Sequence, residues 1–407
     1  MAGLSLVLLA ALSTDWKVDP AGGADFTSIA AALAAPEVQD GDRLWIAPGD
    51  YGQVFVEKSV DLLALPGQRY HASYVRLRDL GPAAGAAGTT TVQGLTTTTL
   101  RIERCAGRIE LVDVEVGIDG VLPHDPILPM VSGSCEIFNA ADVRISGSLL
   151  RGSRQCYPEA SSPEPALLAE RSRIAISGST LEGGNDLGVE YWWSCSPHYP
   201  SPPAIRAADC ELWLSAVELR GGVTNWPGSS FALYLNGGTL DARGSGAELW
   251  SSGQAATAAI AGNGSGTLSG IALAPAGLPA WLTSPSPARP LLAAPAVADL
   301  GGSAAVELYA PLGAPALLAI SPHAAFDTAA LPRLGPVGFD LGQPYLLHPA
   351  LGLGETVPST RSFTLPADPG LAGFSFTLQA LVQMCAPGVC SPAPEYDLTP
   401  LLTALVH

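Results

Sequence analysis

Apolar residues recur along this chain in short alternating runs, and three of the runs are copies of one another. Val143-Arg-Ile145-Ser-Gly-Ser-Leu149-Leu150-Arg-Gly152 aligns without gaps on Ile174-Ala-Ile176-Ser-Gly-Ser-Thr180-Leu181-Glu-Gly183 and on Leu212-Trp-Leu214-Ser-Ala-Val-Glu-Leu219-Arg-Gly221. Degenerate copies stand before them at Ile109–Gly117 and after them at Thr267–Leu273. Ile145 and Ile176 are 31 residues apart and Ile176 and Leu214 are 38 apart, so the repeats are joined by loops of unequal length. Alternation of period two predicts strands. One such unit cannot bury its own Ile, Leu and Val, so each copy must stack on the next as a coil of a repeat architecture. A leucine-rich repeat needs a tighter period and a propeller about four strands per unit, which ranks both lower.

Ahead of the repeats, Ile29 and Leu33 share one face behind Thr27 or Ser28 as N-cap, and Pro36 follows. This predicts a short amphipathic helix. Gly41–Gly49, Val54–Val56 and Val60–Gly67 then read as short strands punctuated by Gly and Pro. Met1–Ser13 is an apolar core followed by small residues, the pattern of an export signal, although no Lys or Arg precedes it. Behind the repeats, Ser284-Pro-Ser-Pro-Ala-Arg-Pro290 breaks the composition as a linker would. Strand-like runs at Val306–Pro311, Ala316–Ile320 and Phe374–Val382 follow, which suits a small antiparallel β-sandwich-like domain. The organisation expected is a signal peptide at 1–13, a coil stack at 14–283, a linker at 284–295 and a C-terminal domain at 296–407.

The segments D-F-T-S-I-A-A-A-L, G-D-R-L-W-I-A-P-G-D-Y and V-E-K-S-V-D-L-L-A-L-P-G, spanning Asp25 to Gly67, resemble the N-terminal opening of pectinesterase-type proteins in the pectin-lyase-like superfamily. The resemblance implies an all-β fold: a right-handed parallel β-helix whose N-terminal end is capped by the short helix. The run L-P-A-D-P-G-L-A-G-F-S-F-T-L-Q-A-L-V is similar to a C-terminal module of large secreted bacterial proteins, which implies location rather than chemistry. Departures from the pectinesterase pattern matter for activity. Gly49-Asp-Tyr51-Gly-Gln53 ends in Gln where that family has Glu, and the motifs supplying its nucleophilic Asp, transition-state amide and substrate Arg are absent, as is the polygalacturonase carboxylate set.

Charge narrows the partners. A formal net charge of −17 and a pI near 4.6 disfavour nucleic acid and anionic membrane surfaces. No apolar run reaches the roughly 18 residues needed to insert into a membrane. Only Lys17 and Lys58 are lysines, so positive charge is almost all arginine. Arg151, Arg171, Arg173, Arg206 and Arg220 recur on or between coils, where exposed arginines ordinarily serve solubility. Seven cysteines without C-x-x-C spacing read as disulfide partners of an exported protein rather than as zinc ligands. Cys385 and Cys390 flank a turn and can close a small loop. Cys156 and Cys195 sit in adjacent loops, and Cys156 with Cys135 is the alternative pairing. Cys105, Cys135 and Cys210 have no assigned partner.

Candidate chemistry gathers in insertions that follow the same point of successive coils. One, from Gly117 to Ser134, holds His124 and Asp125. The next, Arg154 to Pro165, holds Cys156 and Tyr157. Asn185 to Pro203 holds Asp186, Glu190, Tyr191, Trp192, Trp193, Cys195, His198 and Tyr199, and Val223 to Ser230 holds Trp226. Equivalent loops of a stack project from one side, so these should form one composite surface. Aromatic faces beside the carboxylates Asp186 and Glu190 suit stacking against sugar rings. Tyr191, Trp192 and Trp193 would serve equally to fold back on a coil flank as a satellite core, and the sequence leaves both uses open. No ligand spacing among His124, His198, Asp125, Asp186 and Glu190 is diagnostic of a metal. The leading reading is a secreted, non-catalytic protein whose loops bind polysaccharide or another cell-surface component, without a cofactor. The alternatives are a divergent polysaccharide lyase or hydrolase, the lyase alone calling for calcium, and a structural surface spacer.

Overall fold

A computed structural model describes residues 14–81, 89–117, 134–153, 164–184, 202–222, 231–250, 258–274, 276–284, 289–321, 324–327, 337–339, 346–367, 372, 375–384, 396–399 and 402–406. The described chain is almost entirely strand. Twenty strands between Asp15 and Thr283 make one large parallel sheet, and separate, mainly antiparallel sheets follow from Leu291 onward.

The parallel sheet runs as three ladders. The first stacks Gln53–Val56, Tyr70–Arg78, Leu95–Glu103, Cys135–Phe138 and Leu167–Glu170, then the opening residues of Ile205–Ser215, Leu233–Trp250 and Ile260–Ala274. A second ladder stacks Asp15–Val18, Arg43–Ile46, Asp61–Ala64, Thr89–Gln93, Arg108–Val112, Asp142–Ser146 and Arg173–Ser177, and continues through Glu211–Ser215. The third holds Glu115–Val116, Leu149–Arg151, Thr180–Glu182 and Glu218–Arg220. The aligned repeats pair residue for residue: Ile145 opposite Ile176, and Ile176 opposite Leu214. Their inward positions are fully buried in a single cluster that extends from Val18 to Leu282. This arrangement is compatible with a parallel β-helix.

Sharp corners separate the ladders. Asp79, Arg104, Asn139, Arg171 and Asp209 turn the chain from the first ladder to the second, each at a φ between 47° and 56°. A single left-handed residue redirects the strand, and its amide still finds the neighbouring coil. Thus Asp79 donates to the Glu103 carbonyl at 3.0 Å, and Arg104 to that of Phe138 at 2.9 Å. Asp113, Gly147, Gly178 and Ala216 make the second corner in the same way.

The predicted helix forms at Ile29–Ala34, with Ser28 as N-cap accepting from the Ala31 amide at 3.1 Å. Its buried residues are Ile29 and Ala32, while Leu33 is only partly covered.

Beyond the parallel sheet, Leu291–Ala293, Ser303–Ala310 and Gly354–Thr364 form a three-stranded antiparallel sheet. Pro315–Ser321 lies between Leu346–Leu351 and Ser375–Gln383 in a second sheet, which Leu402–Val406 extends. Both sheets contribute to one core: Leu292, Val306 and Leu308 from the first, and Leu318, Leu378, Ala380 and Val382 from the second. Two features differ from the sequence reading. Leu291–Ala293 falls inside the expected linker yet pairs as a strand, because Leu291 and Leu292 are apolar enough to be buried. Val297–Ala298 pairs with Leu405–Val406 in parallel, a small exception to the antiparallel pattern.

Candidate functional site

Asp186, Glu190, Tyr191, Trp192, Trp193, His198, Tyr199 and Trp226 all lie outside the described residues, as do His124, Asp125, Cys156, Cys195, Cys385 and Cys390. What the structure describes is the frame from which their insertions leave and to which they return.

That frame is a single edge of the stack. Segments 118–133, 154–163, 185–201 and 223–230 each leave the end of a third-ladder strand and re-enter at or just before a first-ladder strand. The roots are in close contact. A Cβ on Gly184 would come within 2.2 Å of the Ser153 carbonyl oxygen, and one on Gly222 within 2.0 Å of the Gly184 oxygen. Only glycine lets the backbones approach so closely. Gly184 and Gly222, each one residue past the Gly that ends its repeat, are therefore spacing positions that set successive insertion roots one coil apart.

Two faces flank this edge. On the third ladder, charged side chains alternate in sign from coil to coil. Glu115 holds Arg69 at 3.7 Å and Arg151 at 2.8 Å; Glu182 holds Arg151 at 3.5 Å and Arg220 at 3.1 Å; and Arg220 reaches Glu218 at 2.6 Å. Arg69 also pairs with Asp113, and Arg173 with Glu211 at 3.3 Å. Arg151, Arg173 and Arg220 are thus committed to structural pairing. For the exposed Arg220, the Glu218 hydrogen bond raises the guanidinium above its ordinary range.

The outward face of the first ladder is more varied. Phe55 is 51% exposed and its ring centroid lies 5.9 Å from that of Tyr74. Arg76 reaches Glu103 at 2.5 Å, Arg101 pairs with Glu103 and with Glu136 at 3.0 Å, and Arg101 lies 5.2 Å from the centre of the Phe138 ring. Glu103 is pushed up by burial, but Arg76 and Arg101 outweigh this and hold it below its ordinary value. Farther along, Leu168, the exposed Arg206 and Tyr234 stand opposite one another in register, with Phe231 6.4 Å from Tyr234. Sequence reading did not single out Phe55, Tyr74, Phe138 or Tyr234. The available signal was their outward parity in alternating strands, which becomes a surface only once the coil-to-coil register is known.

The G-D-Y-G-Q segment is structural. Tyr51 donates through Oη to the Ala47 carbonyl at 2.8 Å, and burial together with the nearby Asp19 pushes it up to about 12. Asp50 accepts from the Gly52 amide at 3.0 Å and meets His71 Nδ1 at 3.1 Å; the Gly52 bond and His71 hold it below its ordinary value. Gln53 is exposed at the start of its strand.

Cys105, Cys135 and Cys210 are free and buried. Cys135 points into the core, opposite Leu100 and Leu167 in register, and Cys156, its alternative partner, lies outside the described residues. Cys105 and Cys210 donate back to the carbonyls of Glu103 and Ala208 at 3.4 and 3.2 Å, as Ser172 does to Glu170 at 2.8 Å. Burial pushes all three thiols up, away from the reactive thiolate. Among the described residues no three His, Cys, Asp or Glu side chains come together as a metal set, and no helix is long and apolar enough to cross a membrane.

Comparison with known protein families and with curated proteins returned no match.

Proposed function

We propose that this chain is a secreted, right-handed parallel β-helix of the pectin-lyase-like type that binds polysaccharide, or a comparable cell-surface polymer, along the edge where its insertions emerge. The observation that carries the reading is the stacking of the insertion roots at Ser153, Gly184 and Gly222. It gives the insertions that carry Tyr157, Tyr191, Trp192, Trp193, Tyr199 and Trp226 a common base. The helix Ile29–Ala34, which buries Ile29 and Ala32 in the same core as the coils, supports an N-terminal cap. The export-type leader agrees with an extracellular partner.

The binding reading is non-catalytic. Arginines along the flanking third ladder are held by carboxylates, which favours a static, self-neutralised surface over a reacting one. Phe55, Tyr74, Arg101 and Phe138 on the adjoining face extend the area that a long polymer could follow, since sugar rings present apolar C–H faces to aromatic side chains.

Affinity electrophoresis through gels carrying neutral and acidic glycans tests this. The wild-type chain should be retarded by at least one glycan, and the Trp192→Ala, Trp193→Ala double variant should migrate freely while its circular dichroism is unchanged. Absence of retardation across the panel rejects the binding reading.

A further inference from the structure

The apolar core is divided. Among the described residues, buried residues from Val18 to Leu282 form one cluster and those from Leu292 to Val382 another, while Leu63, Val112 and Ala175 on the outward face of the second ladder are buried outside both. The hydrogen bonds that join the two halves are few and centre on arginines. Arg289 donates to both oxygens of Asp397 at 2.8 and 2.7 Å and to Asp241 of the second ladder at 3.0 Å. Arg243 reaches the Pro290 carbonyl at 3.1 Å, and Arg43 reaches that of Ala372 at 2.6 Å. Ala296 sits against the corner at Gly147 so closely that a Cβ there would lie 2.6 Å from its own.

These contacts bracket the outward face of the second ladder from its early coils to its late ones. Side chains that should face water are buried along it, including Gln93, Glu110, Arg144 and Ser215. Several of their atoms have no hydrogen-bond partner: both carboxylate oxygens of Glu110, Oε1 of Gln93 and Oγ of Ser215. Stranded acceptors raise the free energy of the closed arrangement, and water would satisfy them if the face opened. An interface that leaves buried polar groups without hydrogen bonds resembles a transient association more than a permanent one.

We propose that the outward face of the second ladder is a conditional docking surface whose occupant is the protein's own C-terminal domain, clamped by Arg289 between Asp241 and Asp397 and released as a unit on the Pro-rich segment that precedes Leu291. The two domains keep their own cores in both states. Release presents the Gln93, Glu110 and Arg144 face to solvent, where an external partner could compete for it.

Limited proteolysis with proteinase K and small-angle scattering on the full chain test this at neutral pH. Cleavage between Thr283 and Leu291 tracks the open population. Arg289→Ala should speed it by about tenfold and enlarge the radius of gyration, with both domains still folded. Glu110→Met, which removes the stranded carboxylate, should slow cleavage below the wild-type rate. Unchanged cleavage and radius in Arg289→Ala overturn the proposal. If that variant does not fold, Glu110→Met decides alone: slower cleavage supports a conditional interface, and equal or faster cleavage overturns it.

Discussion

Ser148 and Ser179, the second serines of the I-S-G-S copies, show what single side chains do here. Ser148 donates to the Ser146 carbonyl at 3.0 Å and accepts from the Val114 amide of the preceding coil at 3.1 Å. Ser179 repeats this with Ser177 at 2.8 Å and the Ser148 amide at 3.1 Å. One hydroxyl thus satisfies a buried backbone donor that the corner would leave orphaned. Ser148→Ala strands the Val114 amide and should lower unfolding stability by about 1–3 kcal/mol, read from urea denaturation. The cysteines invite a paired comparison. Cys210→Ser places a hydroxyl where Ser172 already works one coil earlier, so stability should stay within about 0.5 kcal/mol. Cys135→Ser puts a hydroxyl into the apolar column between Leu100 and Leu167 and should cost about 1–3 kcal/mol. If the two variants melted alike, the view of Cys210 as a serine equivalent would fail.

Elements derive their stability from stacking rather than from themselves. A three-residue strand such as Thr180–Glu182 has no independent existence, yet Leu181 is fully buried between Leu150 and Leu219. Ile176→Ala in the second ladder should destabilise by about 2–5 kcal/mol, since rigid neighbours on both sides prevent collapse of the cavity. The insertion roots are stricter. Gly222→Val must push the Gly184 carbonyl away, and thermal melting should show a loss of more than about 3 kcal/mol. The charge ladder is more tolerant: Glu182 sits between Arg151 and Arg220, both partly solvated, and Glu182→Gln should cost less than about 1 kcal/mol.

For the molecule as a whole, two carboxyls of the second ladder respond to pH with opposite sign: Asp61, which burial pushes up to about 7, and Asp241. Burial pushes the Asp241 carboxyl up, but Arg243 and Arg289 outweigh it, and the group lies below its ordinary value of 3.8. A depressed carboxyl binds fewer protons when folded than when unfolded. Its stabilising contribution is therefore complete above that ordinary value and is lost as pH falls through the lower folded one. The folded chain should therefore lose this contribution below about pH 4, read as a lower urea midpoint there than at neutral pH. In Asp241→Asn this acid step should shrink. An acid step of equal size in that variant would place the titration elsewhere.

Repeat rhythm, the N-capped helix at Ile29 and the strand content were legible in the sequence because they depend on local alternation, turn residues and caps. Those preferences act over a few residues and need no partner. The register that sets Ile145 on Ile176, the surface made by Phe55, Tyr74 and Phe138, the burial of Cys135 in the core and the Arg289 clamp were not legible. Each depends on which outward or inward position meets another across a coil or a domain boundary. A one-residue slip in pairing turns every side chain to the other face, so composition and spacing alone cannot rank such contacts. Only the packed chain, by burying one parity and closing one set of charges, decides them.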